Sequence, residues 1–205
     1  MIPILYNAHK TKDIPQHYGV QLFVNSKQGI ATLRNGESLR GWLSQHKDHP
    51  LYALSIVSSE AVDDVCLSLR ILDIKKSVFV YDLNYISLKY FRCHAVPIAE
   101  RVSEEERFQE YSHLIWMDRW NWHDTVHYSK TGMVDEREMF IYTPPKNCVG
   151  DDTMIYAVSP DLHLFDTNPS WREYQWRSMF DFGVDGICTQ YPNELEDVYT
   201  KWSLQ

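Results

Sequence analysis

Phe182-Gly183-Val184-Asp185-Gly186-Ile187-Cys188-Thr189-Gln190-Tyr191-Pro192-Asn193 is the stretch that decides how this chain is read. Upstream of it, Ser170 is placed to cap a helix running to Asp181, and Gly183 stands where a left-handed residue ends a helix. Gly186 to Cys188 then reads as a short buried strand that stops in a Thr-x-Tyr-Pro turn. A helix that ends on glycine and feeds a short apolar strand is half of a parallel βαβ unit.

The same alternation recurs through the chain. Strands are predicted at Ile2 to Tyr6, Val20 to Val24, Leu51 to Val57, Ser77 to Tyr81, Val96 to Ala99, Leu114 to Met117, Met139 to Tyr142 and Met154 to Val158. Ile30 to Leu33 is a hairpin partner or a continuation of the second strand. Ser38 caps a helix to about Gln45, with Leu39, Trp42 and Leu43 on one face, and Ser59 caps another to about Leu72. Tyr85 to Phe91 reads as helical, and Ser103-Glu-Glu-Glu opens a helix with acidic groups at its positive end. Roughly eight such strands predict an α/β fold, a compact (β/α)8 TIM-barrel-like domain over residues 1–205. That fold begins at about 200 residues, so some helices are expected to be short or missing. A doubly wound open sheet is the alternative, without a GxGxxG or GKS/T loop to make it a nucleotide binder. Asn121 to Gly150 has weak patterning.

Composition narrows the function. The 205 residues are 44% hydrophobic and 23% charged, as in ordinary globular domains. The net charge of -8 argues against a broad nucleic-acid or anionic-membrane surface. Seven Trp and 13 Tyr suit either a packed core or a sugar-facing cleft. The four cysteines form no CxxC pair, and Cys66 and Cys188 lie inside apolar runs as core residues. The first residues read directly as a strand, no apolar run is long enough to span a bilayer, and a reducing cytoplasm is the expected location.

Active sites of such barrels lie at the C-terminal strand ends. That rule selects Asn7 and His9, then Gln21, Phe23 and Asn25, then Ser55, Ser58 and Ser59. Asp82 and Asn84, Glu100 and Arg101, and Asp118, Arg119 and Trp120 follow. Ser159, Asp161 and His163, then Thr189 and Gln190, complete the rim. Such a mouth suits a phosphate or a sugar, though Asp82 and Asp118 serve equally as turn caps. Trp122-His123-Asp124 with His127 has the spacing of a zinc pair but lacks the Glu of HExxH and reads as surface loop. Ser58-Ser59 has no GxSxG elbow. Glu100 and Asp118 would form a glycosidase pair only at the right separation.

Several segments together resemble the glycerophosphodiester phosphodiesterases: Ala8-His9, Tyr18-Gly19-Val20-Gln21-Leu22-Phe23-Val24, Gly29-Ile30-Ala31-Thr32-Leu33, Gly36-Glu37-Ser38-Leu39, Leu51 to Val57, and the closing helix–strand unit. The segments Val78 to Leu83, Ile98 to Glu104 and Val158 to His163 are similar to a shorter branch of that superfamily. The resemblance implies a barrel, a divalent metal and two catalytic histidines. Where the family has His-Arg, this chain has His9-Lys10. Where the family has a metal-binding Glu-x-Asp, it has Gln21 and Phe23, and Ser55 stands for a further metal-binding Glu. Arg34 or Asn35 replaces the second His. Mg²⁺ and Ca²⁺ take oxygen ligands, and this set offers few.

The expected function is therefore a phosphodiesterase-like protein with a degraded metal site, binding a phosphate or glycan without turnover. The alternative is an active phosphodiester hydrolase with a site rebuilt around His9. In that version His9 and His163 are the catalytic pair, and Lys10, Arg34, Asp82, Arg101, Asp118 and Trp120 bind substrate. No resident metal is expected, and a Mg or Ca ion enters only if Asp82, Asp118 or Asp161 replaces the lost ligands. The partner is a small phosphodiester or glycan rather than nucleic acid.

Overall fold

A computed structural model describes residues 4–7, 14–81, 90–91, 94–102, 114–117, 154–162 and 168–205. Its strands are β1 (Ile4–Asn7), β2 (Gly19–Lys27), β3 (Ile30–Leu33), β4 (Tyr52–Ile56), β5 (Val78–Tyr81), β6 (Glu100–Val102), β7 (Leu114–Met117), β8 (Met154–Val158) and β9 (Gly186–Thr189). Four helices can be followed end to end: α1 (Leu39–Gln45), α2 (Val62–Leu72), α3 (Pro169–Phe182) and α4 (Pro192–Ser203).

The strands form one sheet in the order β5-β4-β2-β1-β9-β8-β7-β6, with β3 paired antiparallel to β2 outside that path. All pairs along the path are parallel. The two ends of the path meet. Val80 bridges Ile98 in parallel, with Val80 N–H donating to Pro97 O at 3.0 Å and Ala99 N–H to Val80 O at 2.9 Å. Ile98 and Ala99 run straight into β6, so the sheet is a nearly closed parallel barrel. The (β/α)8 expectation is met, and the open sheet is excluded.

Side chains alternate across each strand, and the alternation sorts the core into three parts. Leu5, Ala53, Phe79, Tyr81, Trp116, Tyr156, Val158 and Cys188 fill the lumen. Val20, Leu22, Val24, Leu54 and Ile56 point outward against α1 and α2. Ile115, Met117, Ile155, Ala157 and Ile187 point outward against α3 and α4.

Local chemistry explains the element ends. Gln28 and Gly29 both have positive φ (55° and 77°), the backbone of a tight two-residue hairpin turn between β2 and β3. Gly183 has φ 87°, and its N–H and that of Val184 return to Met179 O at 3.1 and 3.2 Å. This closes α3 as expected. Asp185 then pins β9 to β8, its Oδ2 accepting Ile155 N–H at 2.8 Å.

Some boundaries differ from expectation. Asn168, not Ser170, caps α3, accepting Ser170 N–H at 2.9 Å, because Pro169 fits the first helical position without an N–H. Ser58 caps a 3₁₀ turn over Ser59–Ala61 before α2 begins. The fifth barrel strand is Glu100–Val102 rather than 96–99, because Pro97 has no N–H to give the ladder. Arg101 therefore sits within that strand rather than beyond it. The turn at Tyr191-Pro192 opens α4, a helix the sequence reading omitted. Leu195 and Val198 are its buried stripe. The expected strand at Met139 to Tyr142, the helix from Ser103, most of Tyr85 to Phe91, the His123/His127 pair and the Asn121 to Gly150 stretch lie outside the described residues.

Gly183→Ala tests the αβ corner. A Cβ there meets nothing within 4 Å, so the cost is purely that of a left-handed backbone. Denaturant unfolding is expected to show a loss of about 1–2 kcal/mol. Unchanged stability would mean that α3 ends differently.

Candidate functional site

The C-terminal half of the lumen is built from β2, β4, β5, β7 and β9. Gln21 sits level with Ala53 on β4, and Phe23 with Ser55, while Ser55 is level with Tyr81 on β5. Ala53 and Ser55 are small, which leaves room for Gln21 to cross β4. Gln21 Nε2 donates to the Tyr81 hydroxyl in a short hydrogen bond. From the other side, Cys188 Sγ donates to Gln21 Oε1 at 3.4 Å. One neutral amide therefore joins β9, β2 and β5 across the barrel. The Tyr81 ring in turn stacks on Trp116 of β7, centroids 4.4 Å apart at 22°. Phe79 packs beneath both, 5.9 Å from Trp116 and 5.1 Å from Tyr156.

This layer is dry. Gln21 is 5% exposed, and Ser55, Tyr81, Trp116 and Cys188 are 1% or less. At its upper, Ser55–Tyr81 edge the wall opens on the β2–β3 side. Phe23 is half-buried, and the exposed Arg34, just past β3, lays its guanidinium over the Phe23 ring at 3.9 Å. Glu37 and Asn35 build the turn that carries Arg34: Glu37 N–H donates to Asn35 Oδ1 at 3.0 Å, and Leu33 N–H to Glu37 O at 2.8 Å. A cation held flat on an aromatic face is partly desolvated.

On the opposite wall a second polar knot fixes the ends of β8 and β9. Asp161 Oδ1 accepts from Thr189 Oγ1 at 2.9 Å and from the Ser159 hydroxyl, and Oδ2 accepts Gln190 N–H at 2.8 Å. Trp176 Nε1 on α3 donates to Ser159 Oγ at 2.8 Å. Asp161, considered as a metal ligand from sequence, is thus the clamp that holds Thr189 and Gln190. Beside it, the buried Arg172 of α3 donates to Glu194 Oε2 at 2.7 Å and stacks on Tyr191 at 4.0 Å. Nothing in the sequence pattern singled out Arg172. The available signal was Glu194 in the first turn of a Pro-initiated helix.

Of the residues selected from sequence, Gln21 enters the lumen at the Ala53 level and Phe23 and Ser55 share the next level with Tyr81, and Arg34 joins Phe23. Ser58 is taken by its cap to Glu60 N–H at 3.3 Å. His9, Lys10, Asp82, Asp118, Trp120 and His163 lie outside the described residues, and Arg101 is described only as backbone within β6. Among the described residues, no group of three His, Cys, Asp or Glu could hold a metal ion. The described side chains at the Gln21 and Ser55 levels do not by themselves fit Mg²⁺ or Ca²⁺: an amide oxygen already accepting from a thiol, a hydroxyl and an aromatic ring. No helix among the described residues is long and apolar enough to cross a membrane. Cys66 and Cys188 are buried and form no disulfide, and burial raises the Cys66 thiol to about 11.

No protein-family model matches this chain, and no curated protein matches it. Solved structures do. A glycerophosphodiester phosphodiesterase from Agrobacterium tumefaciens str. C58 is similar at TM-score 0.62 and 9% identity, over 98% of this chain and 100% of that one. A glycerophosphoryl diester phosphodiesterase from Parabacteroides distasonis ATCC 8503 is similar at TM-score 0.61 and 9% identity, over 98% and 87%. A second enzyme from that organism is similar at TM-score 0.56 and 14% identity, over 90% and 84%. The protein has the glycerophosphodiester phosphodiesterase fold, as the sequence segments implied. Likeness at this identity establishes the architecture and assigns no residue a role.

Gln21→Glu puts a carboxylate into the neutral layer. Burial raises the pKa of such a group above its ordinary ~4.3 in the folded state. The variant should therefore be most impaired near neutral pH and recover toward wild type as pH falls below the raised value. Unfolding midpoints measured from pH 4 to 8 check this. A pH-independent difference from wild type would show that the Gln21 position is wet.

Proposed function

We propose that this protein keeps the phosphodiesterase barrel as a binding scaffold. In this reading the metal-binding level has been rebuilt as a neutral packing layer, and a phosphate- or glycan-sized ligand sits above it at the mouth without being cleaved. Residues 1–205 act as one cytoplasmic domain. The observation that carries the reading is the Gln21 amide, engaged by Tyr81 on one side and Cys188 on the other. Where the family resemblance puts a Glu-x-Asp pair, an engaged amide and an aromatic ring cannot replace two anionic oxygen ligands. Arg34 on Phe23 supplies the positive charge that a phosphate requires, and a guanidinium meets phosphate with paired hydrogen bonds. Lys10, Asp82, Arg101, Asp118 and Trp120 are proposed to complete the mouth, with the tryptophan stacking on a sugar face.

The second reading, turnover by His9 and His163 with no family-type metal, is favoured by the likeness to phosphodiesterases along nearly the whole chain. A single acid–base group contributes about 10²–10⁴ in rate, far below what phosphate esters can demand, so charge stabilisation would have to come from Arg34 or Arg101.

Two measurements separate the readings. Release of free alcohol from glycerophosphocholine and glycerophosphoethanolamine, with Mg²⁺, with Ca²⁺ and with chelator, is expected to be absent throughout. Release that His9→Ala abolishes would establish the second reading. Titration with glycerol 3-phosphate by calorimetry is expected to show binding indifferent to chelator. Arg34→Ala should weaken it by about 1.5–3 kcal/mol, roughly 10- to 100-fold in Kd. Metal-dependent binding, or binding unchanged by Arg34→Ala, would contradict the scaffold reading.

A further inference from the structure

On the flank of the barrel, away from the proposed ligand level, a ladder of rings joins the end of α1 to the first residues of β2 and β4. Trp42 stacks on His46 at 4.2 Å and 8°, and His49 continues the stack at 6.4 Å from His46 and 6.1 Å from Trp42. Tyr52 meets His49 edge-on at 5.9 Å and 83°. His49 is 3% exposed. Its Nδ1 lies 2.8 Å from Tyr18 O, and a carbonyl only accepts, so the proton is on Nδ1. The other ring nitrogen, Nε2, is buried with no hydrogen-bond partner. The chain around this ring is tied by three further hydrogen bonds. Val20 N–H donates to Leu51 O at 2.8 Å, the Tyr52 hydroxyl donates to His46 O, and His46 Nδ1 is 2.9 Å from Trp42 O.

We propose that His49 is a proton-sensitive latch: neutral, it locks the α1–β4 connection onto the start of β2, and when protonated it releases that corner. The geometry carries this. A second N–H on a buried ring has no acceptor in reach, and an imidazolium there is an uncompensated buried charge. The facing groups do not supply the balance. From the C-cap of α1 comes His46, which opposes a second positive charge, and from the connecting loop comes Asp48, the nearby carboxylate that favours one. From β4 comes the Tyr52 hydroxyl. From the β2 side comes Tyr18, whose hydroxyl is bonded to Glu196 of α4 at 2.6 Å, with Asp197 beyond and the His17 ring beside it. Both tyrosine hydroxyls stay protonated, pushed up to about 12 chiefly by burial. Burial outweighs Asp48 and the Tyr18 carbonyl and lowers the imidazole below its ordinary range.

The sign follows. A histidine whose closed-state pKa is lowered binds its proton more readily in the open state. The latch is therefore fully shut above the ordinary value of ~6.5 and loosens as pH falls from there toward the lowered one.

The test is amide exchange on the full chain, with protection factors at Val20 measured from pH 7.5 to 5. In wild type, opening at Val20 is expected to rise by up to about tenfold per pH unit below ~6.5. In His49→Gln, whose amide can still donate to Tyr18 O, the rise should be lost. Parallel pH profiles in the two proteins, or flat protection in wild type, would overturn the proposal. Should His49→Gln not fold, the wild-type imidazole signals decide. A His49 midpoint below those of His17 and His46 supports the latch, and a midpoint in their range removes it.

Discussion

One side-chain amide organises the interior of this barrel. Gln21 gives its N–H to Tyr81 and accepts the Cys188 thiol, so three non-neighbouring strands are tied at one level of a dry lumen. A buried amide is tolerable only when its donors and acceptors are engaged, because an unmade hydrogen bond there costs about 1–3 kcal/mol. That requirement fixes what surrounds it. Ala53 and Ser55 have to be small for the amide to reach across β4, and Tyr81 has to stand upright, which its stacking on Trp116 secures.

The same constraint positions the mouth. The lumen is packed at Tyr81 and Trp116, and Phe23, at the Ser55–Tyr81 level, carries the exposed Arg34 guanidinium over its ring. Across the barrel, Asp161 serves rigidity: two of its three hydrogen bonds, from Thr189 and Gln190, tie the end of β8 to the end of β9, and the third fixes it to Ser159. The architecture thus concentrates polar groups in two knots that satisfy one another and leaves the charged chemistry to the rim.

Much of this was legible in the chain. Gly183 announced a left-handed stop, and the apolar runs at Leu51, Ser77, Leu114 and Met154 announced strands, because local sterics and burial govern both. The phosphodiesterase-like order of segments announced the barrel. What stayed hidden is non-local. Gln21 and Tyr81 are 60 residues apart, and their contact depends on the β2–β4–β5 register. Gln21 read from sequence as a lost ligand, and in the fold it bridges Cys188 and Tyr81. Asp161 looked like a free carboxylate at a strand end, and only the arrival of Thr189 and Gln190 from the next strand shows why it is there. Helix α4 escaped because Tyr191-Pro192 was read as a stop, although proline opens helices as readily as it ends them.

The most direct measurement is a double-mutant cycle on the amide bridge, comparing Gln21→Leu, Tyr81→Phe and the double variant by chemical denaturation. If the two side chains satisfy one another in a dry lumen, each single variant removes a hydrogen bond from its partner. The double variant should then be less unstable than the sum, with a coupling of about 0.5–3 kcal/mol. Strict additivity would contradict the account, since it would mean that Gln21 and Tyr81 are solvated independently and that the level remains open to water and ions.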